Sequence, residues 1–485
     1  MLFNSHVFLF AFLPIVLIGA GLLARWGRAD RVPVWLLAAS LFFYGHWDRE
    51  LLVLLLGSIA FNWAVGLAVT SPAADLRQRR LLLGLGVAAN LLLLAQCKYA
   101  SFFTRAFNQA TGADLPLPAV ILPLAISFFT FQQIAFLVDA FRGEAGRPRL
   151  RDYTLFVCFF PQLVAGPIVT HRELLPQLRR RDLGTTASRL APGLTLFLAG
   201  LVKKVLIADA LAPQADPIFA AAAAGEALSA LDAWGAALAY TFQLYFDFSG
   251  YSDMAIGLAL MVGITLPWNF DSPYKAESII DFWRRWHMTL SRFLRNYLYI
   301  PLGGSRRGPG RRYRNLMLTM LLGGLWHGAG WNFVLWGGLH GTYLMVNHGW
   351  RALRARRGWG SADGRTASLG GFAARALTFL AVLLAWVFLR AETPEAAAGM
   401  LTAMAGLGAG GAPSLSADTW GALAALLAGV WLLPNSQQWL GLDREAPSAW
   451  LTWRPNAAWA CALGLVALAA VLSLFENSEF IYFRF

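Results

Sequence analysis

An all-α polytopic integral membrane protein is the fold class that the sequence predicts, and three observations predict it. Hydrophobic residues make up 57% of the 485 positions, the mean hydropathy is +0.52 and charged residues are only 14%, a balance too apolar for a soluble multidomain chain. Apolar runs of membrane-crossing or near-crossing length recur throughout, enough for about 11–13 membrane helices. Arginines gather in the short gaps between those runs, which is the pattern that orients helices across a bilayer. The net charge of +13 is therefore an orientation signal, and no nucleic-acid role follows from it.

Taken in order, the first helix runs from His6 to Leu23 and is followed by Arg25, Arg28 and Arg31, which puts the N-terminus outside and the first loop in the cytoplasm. No basic segment or small-residue cleavage site precedes it, so it reads as a retained helix. Val34 to Trp47 is short for a full span and ends near His46. Leu51 to Val69 makes the next span, before a basic loop holding Arg77, Arg79 and Arg80. Leu81 to Ala95 and Leu122 to Phe141 follow, the second carrying Gln132 and Gln133, whose amides need protein partners at membrane depth. Pro161, Gly166 and Pro167 then break an apolar stretch that ends at His171, an interfacial histidine beside Arg172 and Glu173 on this reading. Leu190 to Leu211 holds Lys203, Lys204 and Asp209, placed near an interface or in an internal pair. Further runs lie near Ala376 to Leu389, Leu423 to Leu433 and Ala457 to Leu474, with GLGAGGAPSLSAD as a flexible loop among them. Cys97, Cys158 and Cys461 have no metal-ligand or disulfide spacing, so no metal site is expected.

Chemistry concentrates between Asp281 and His340, in DFWRRWHMTLSRFLRNYLYIPLGGSRRGPGRRYRNLMLTMLLGGLWHGAGWNFVLWGGLH. On helical spacing Arg284, His287, Ser291 and Arg295 share one stripe, with Trp283, Trp286 and Leu290 on the adjoining apolar face. His327 sits among Gly323, Gly324, Gly328 and Gly330, which would let other backbones or a thin substrate approach the imidazole. Two histidines in membrane-like sequence are costly unless used. Upstream, YTFQLYFDFSGYSDMA places Asp247 and Asp253 in apolar surroundings, with the arginines of the 284–295 segment as candidate partners. The arginines from 284 to 312 suit phosphate groups, and His327 suits the proton of an attacking hydroxyl. A glycan or lipid-linked sugar transporter using the same buried Asp, Arg and His is an equally open reading of composition, although no internal repeat is apparent.

The runs WNFDSPYKAESIIDFWRRWHMTLSRFLRNYLYIPLGG and GLWHGAGWNFVLWGGLHG resemble the membrane-bound O-acyltransferase superfamily, in its bacterial branch of alginate, peptidoglycan and D-alanyl transferases. The likeness extends from MLFNSHVFLFAFLPIV to EFIYFRF, so it implies one domain over 1–485 around a central tunnel, with a catalytic core at 240–348 and a tail motif at 476–485. It matches His327 to the histidine of the family's WHG-type motif and His287 to its upstream position, and it gives Tyr482 in the aromatic tail a part in acyl relay. The bland alternative for the tail is an interfacial aromatic anchor of Phe480, Tyr482 and Phe485. Trp283, Arg284, Arg285, Ser291, Arg295, Asn269, Trp326, Asp247 and Tyr245 are the substrate-contacting set on this reading, while His340 and His348 stay structural. The alginate branch implies acetyl from cytoplasmic acetyl-CoA, a substrate with no bound cofactor, for O-acetylation of an exported polysaccharide. It implies an inner-membrane location and a periplasmic acetyltransferase of the SGNH-hydrolase type as partner, alongside exopolysaccharide pathway proteins and lipids. The D-alanyl branch implies a carrier-protein thioester and teichoic acid instead.

Overall fold

The computed structural model describes residues 1–118, 122–358, 364–408, 410–442, 452–474 and 480–481, and among these it is helical without strands. The chain folds as two units. The first comprises Met1–Val202, Gly250–Trp268 and the stretch from Arg454; the second comprises Lys203–Ser249 and Asn269–Trp453.

Within the first unit, Asp48 starts the Arg49–Val69 helix by accepting from the amides of Glu50 and Leu51, and a capping box between Asp75 and Gln78 starts Leu76–Leu94. These two helices pack with Ile126–Phe141, because Gly66 admits the Phe136 ring and Gly86 admits Leu137. Polar contacts then fix the group. Asn62 and Asn90 exchange side-chain hydrogen bonds of 3.1 and 2.6 Å, and Gln133 donates to the Ser58 hydroxyl at 2.9 Å, the interhelical glue that hydrocarbon surroundings favour. Arg79 donates to the carbonyls of Val69 and Phe141 at two helix ends. By length and composition, four helical segments among the described residues can cross a membrane: Phe8–Arg25, Arg49–Val69, Leu76–Thr111 and Gly370–Arg390. Only 17% of the apolar window within Leu76–Thr111 is buried inside the protein. The Val32–Gly45 helix has 14 residues, a length of about 21 Å against a hydrocarbon core of about 30 Å.

The predicted break after Phe141 is present as three short helices, Leu150–Cys158, Phe160–Leu163 and His171–Leu178. His171 has protein partners. It is buried, with Nδ1 3.6 Å from Asp139 and Nε2 3.3 Å from the Glu144 carbonyl, because the break folds the helix start back onto the end of Ile126–Phe141. The aromatic tail departs from expectation where it is described. Phe480 is buried, its ring 4.7 Å from Tyr251, and Phe3 lies 4.7 Å from Tyr251 as well. An anchor in the membrane interface would be exposed. Tyr482 and Phe485 lie outside the described residues.

The second unit is built on a hairpin of Pro309–His327 and Trp331–Arg356. A Cβ on Gly324 would stand 2.2 Å from the Phe333 carbonyl oxygen, and one on Gly337 2.3 Å from that of Met320. Glycine here is what lets two backbones cross in contact. GLGAGGAPSLSAD is tethered where it is described, since Asp232 accepts from the amides of Ser414 and Leu415.

Candidate active site

The site begins with a turn that the helical periodicity does not reveal. Ile279–Arg285 ends, Met288–Leu294 begins, and between them His287 adopts φ 43° and ψ 53°. This left-handed backbone costs a non-glycine residue roughly 1–2 kcal/mol. The expected stripe of Arg284, His287, Ser291 and Arg295 is therefore broken: Arg284 and Arg295 are exposed, while His287 is 0% exposed.

Asn269 holds the turn in place. Its carbonyl accepts from the Met288 amide at 2.9 Å, and its side-chain Oδ1 accepts from the Thr289 amide at 3.3 Å and the Thr289 hydroxyl at 3.0 Å. A backbone amide can only donate, so the atom facing it is the oxygen of Asn269. His287 Nδ1 lies 3.1 Å from the same oxygen and must carry the proton. The neutral imidazole then has its lone pair on Nε2.

His327 ends the Pro309–His327 helix and is 3% exposed. Its ring centroid is 6.4 Å from that of His287, and Trp326 lies 4.9 Å from His327 and 6.1 Å from His287. Phe248 meets His287 edge-on at 4.7 Å, and Trp336 meets His327 at 4.9 Å. Two imidazoles thus share one buried, aromatic-walled place. A model of the membrane-bound O-acyltransferase family matches residues 124–388, which include both. The chain belongs to the membrane-bound O-acyltransferase family.

This acyltransferase is 45% identical to the peptidoglycan O-acetyltransferase of Helicobacter pylori over 436 residues, covering 84% of this chain and 80% of that one. It is 43% identical to the probable alginate O-acetylase AlgI of Azotobacter vinelandii over 413 residues, 84% and 79% of the two chains. The teichoic acid D-alanyltransferase of Streptococcus thermophilus is 28% identical over 238 residues, 47% of this chain and 57% of that one. Family membership makes the protein a multi-pass membrane enzyme that transfers acyl groups to oxygen, and the transporter reading gives way.

Of the residues singled out from sequence, the acyltransferase brings His287, His327, Asn269 and Trp326 together. Tyr245 packs against Phe270, Tyr274 and Trp286, and Trp283 against Trp336 and His340. Ser291 turns back to the Trp286 carbonyl at 3.4 Å. Arg285 is engaged by Asp281 at 3.0 Å and Asp271 at 3.6 Å. His340 is fully buried among Phe282, Trp283, Trp336 and Trp386. Gly324, Gly328 and Gly330 beside His327 meet protein where room for a substrate arm was expected. A Cβ on Gly328 would strike the Phe333 ring and one on Gly330 the Asn332 side chain, so protein fills those faces.

Asp247 also finds a different partner. Lys204, 4% exposed, reaches Asp247 at 2.6 Å and Asp209 at 2.8 Å, whereas the arginines of 284–295 were the expectation. Lys204 lies on a π-helical turn, Lys203–Ala208, and its long stem delivers the charge inside, where the exposed arginines do not go. Sequence offered one signal for it, the spacing of Lys204 and Asp209 within an apolar run. Lys204→Met leaves two carboxylates without their cation, and a thermal melt in detergent is expected to show a loss of about 3–5 kcal/mol. Adding Asp247→Asn should restore part of it; no restoration would place the role of Lys204 elsewhere.

Proposed function

We propose that this enzyme takes acetyl from cytoplasmic acetyl-CoA and passes it across the bacterial inner membrane for O-acetylation of an exported or cell-wall polysaccharide, completed by a periplasmic partner transferase. The observation that carries this reading is the buried pair, His287 and His327, 6.4 Å apart between ring centroids. His327 takes the proton of the attacking hydroxyl, the oxygen bonds to the thioester carbonyl, and the carbon–sulfur bond breaks. The proton held on His327 then goes to the departing thiolate. The tautomer assigned to His287 leaves Nε2 with a lone pair that accepts and does not donate, while the one proton of the attacking hydroxyl goes to His327. That tautomer does not suit donation to an oxyanion.

Acetyl is favoured over D-alanyl because the relatives whose names specify acetylation match 84% of this chain at 43–45% identity, against 47% at 28% for the D-alanyltransferase. The donor phosphates would meet the exposed arginines, Arg284, Arg295, Arg306, Arg307 and Arg311, since Arg285 is held by carboxylates. Tyr482 supplies a hydroxyl on which acetyl can rest as an ester before the partner removes it. The test is mass spectrometry of the purified chain after incubation with isotope-labelled acetyl-CoA. A label that maps to Tyr482 and is absent from His327→Ala and Tyr482→Phe supports the relay. Absence of both label and thioester consumption, with partner and glycan present, would overturn the acetyl-CoA reading.

A further inference from the structure

A groove of about 580 Å³ runs along the first helix, on the side where Thr185, Leu190 and Leu194 face it. The Leu13–Arg25 helix presents Pro14, Leu17, Ile18, Gly21 and Arg25 to this groove, the stripe expected of positions three and four apart. From Leu13 to Arg25 the wall is about 18 Å long, close to the ~15 Å of one leaflet's hydrocarbon. It is apolar along its length and polar at one end only.

Two independent features mark that end. Arg25 is exposed and makes no ion pair among the described residues, and Arg28 and Arg31 follow it in the next turn of chain. The Thr185 hydroxyl is buried without a hydrogen-bond partner. Gly21 keeps the floor between them open, since a Cβ there would meet Thr185 only at 3.6–3.7 Å. Asp30 stands between Arg28 and Arg31 in the chain and Asp182, near Thr185, is held by Arg180 and Arg189, so three arginines against Asp30 keep the local field positive.

We propose that this groove is a binding site for one anionic phospholipid, with an acyl chain against Leu13, Leu17, Ile18 and Leu194 and the phosphate received by Arg25 at the end where Thr185 lies. The Arg25 guanidinium suits a phosphate oxygen, and an apolar slot beside a membrane-crossing helix takes a lipid tail in place of bulk acyl chains. The excess of arginines over Asp30 selects a lipid with net negative charge, and it places that lipid in the leaflet on the cytoplasmic side.

The experiment is native mass spectrometry of the full chain released from nanodiscs made of phosphatidylglycerol and phosphatidylethanolamine in equal parts. Wild type should retain one phosphatidylglycerol. Gly21→Trp should lose it by filling the floor, and Arg25→Gln should weaken the preference over phosphatidylethanolamine about fivefold. Arg25 has an exposed side chain, so its replacement tests the site even if tryptophan at 21 disturbs packing. Equal retention of the two lipids by wild type, or unchanged retention in Arg25→Gln, would overturn the proposal.

Discussion

His327→Ala is expected to lower acetyl-CoA consumption by about 10²–10⁴-fold, the usual weight of a positioned general base. The residue is buried at the end of its helix between Trp326 and Trp336, so alanine also leaves a gap, and His327→Gln is the companion variant that fills it. Both should bind donor with little change and fail to cleave it. The readout is free thiol released per enzyme, measured beside a melting curve. A glutamine variant that still releases thiol at the wild-type rate would remove His327 from the chemistry.

At His287 the expected result divides backbone from side chain. Alanine and glycine both remove the imidazole and its contact with Asn269, so both should lose at least about 10²-fold in turnover. Their stabilities should differ in the reverse of the usual helical order. At φ 43° glycine is free of the Cβ penalty, and His287→Gly should be more stable than His287→Ala by roughly 1 kcal/mol. His287→Asn, which tolerates this backbone, should fold like glycine and remain inactive. If the glycine variant turned over normally, the turn rather than the imidazole would be what the site needs.

The gap between sequence and structure is clearest at this position. DFWRRWHMTLSRFLR keeps helical spacing throughout and holds neither glycine nor proline, so periodicity reads one helix through it. What breaks that helix is Asn269, a residue well before it in the chain that binds the amides on the far side of the turn. The choice of His287 and His327 was legible because charge and imidazole stand out in apolar sequence. Their separation was not, since His287 sits on a turn held by Asn269 and His327 ends the Pro309–His327 helix, and spacing along the chain says nothing of how those two pack. Asp247 shows the same limit: its need for a cation could be read, whereas the choice of Lys204 follows from a π-helical turn. The membrane helices themselves were legible, since length and hydropathy suffice where lipid is the solvent.

Tyr251 has Phe3 against it on one side and Phe480 on another, and this carries a consequence for biogenesis. The chain is made from its N-terminus, so Phe3 is present when Tyr251 enters the membrane, while Phe480 is still to be translated. At about 5–20 residues per second, that second contact waits on the order of ten to fifty seconds. Through that interval the newborn protein has the Phe3 contact on Tyr251 available and the Phe480 contact still missing. A ribosome that stops between Arg356 and Phe480 releases a chain that holds both site histidines and lacks the Phe480 contact with Tyr251.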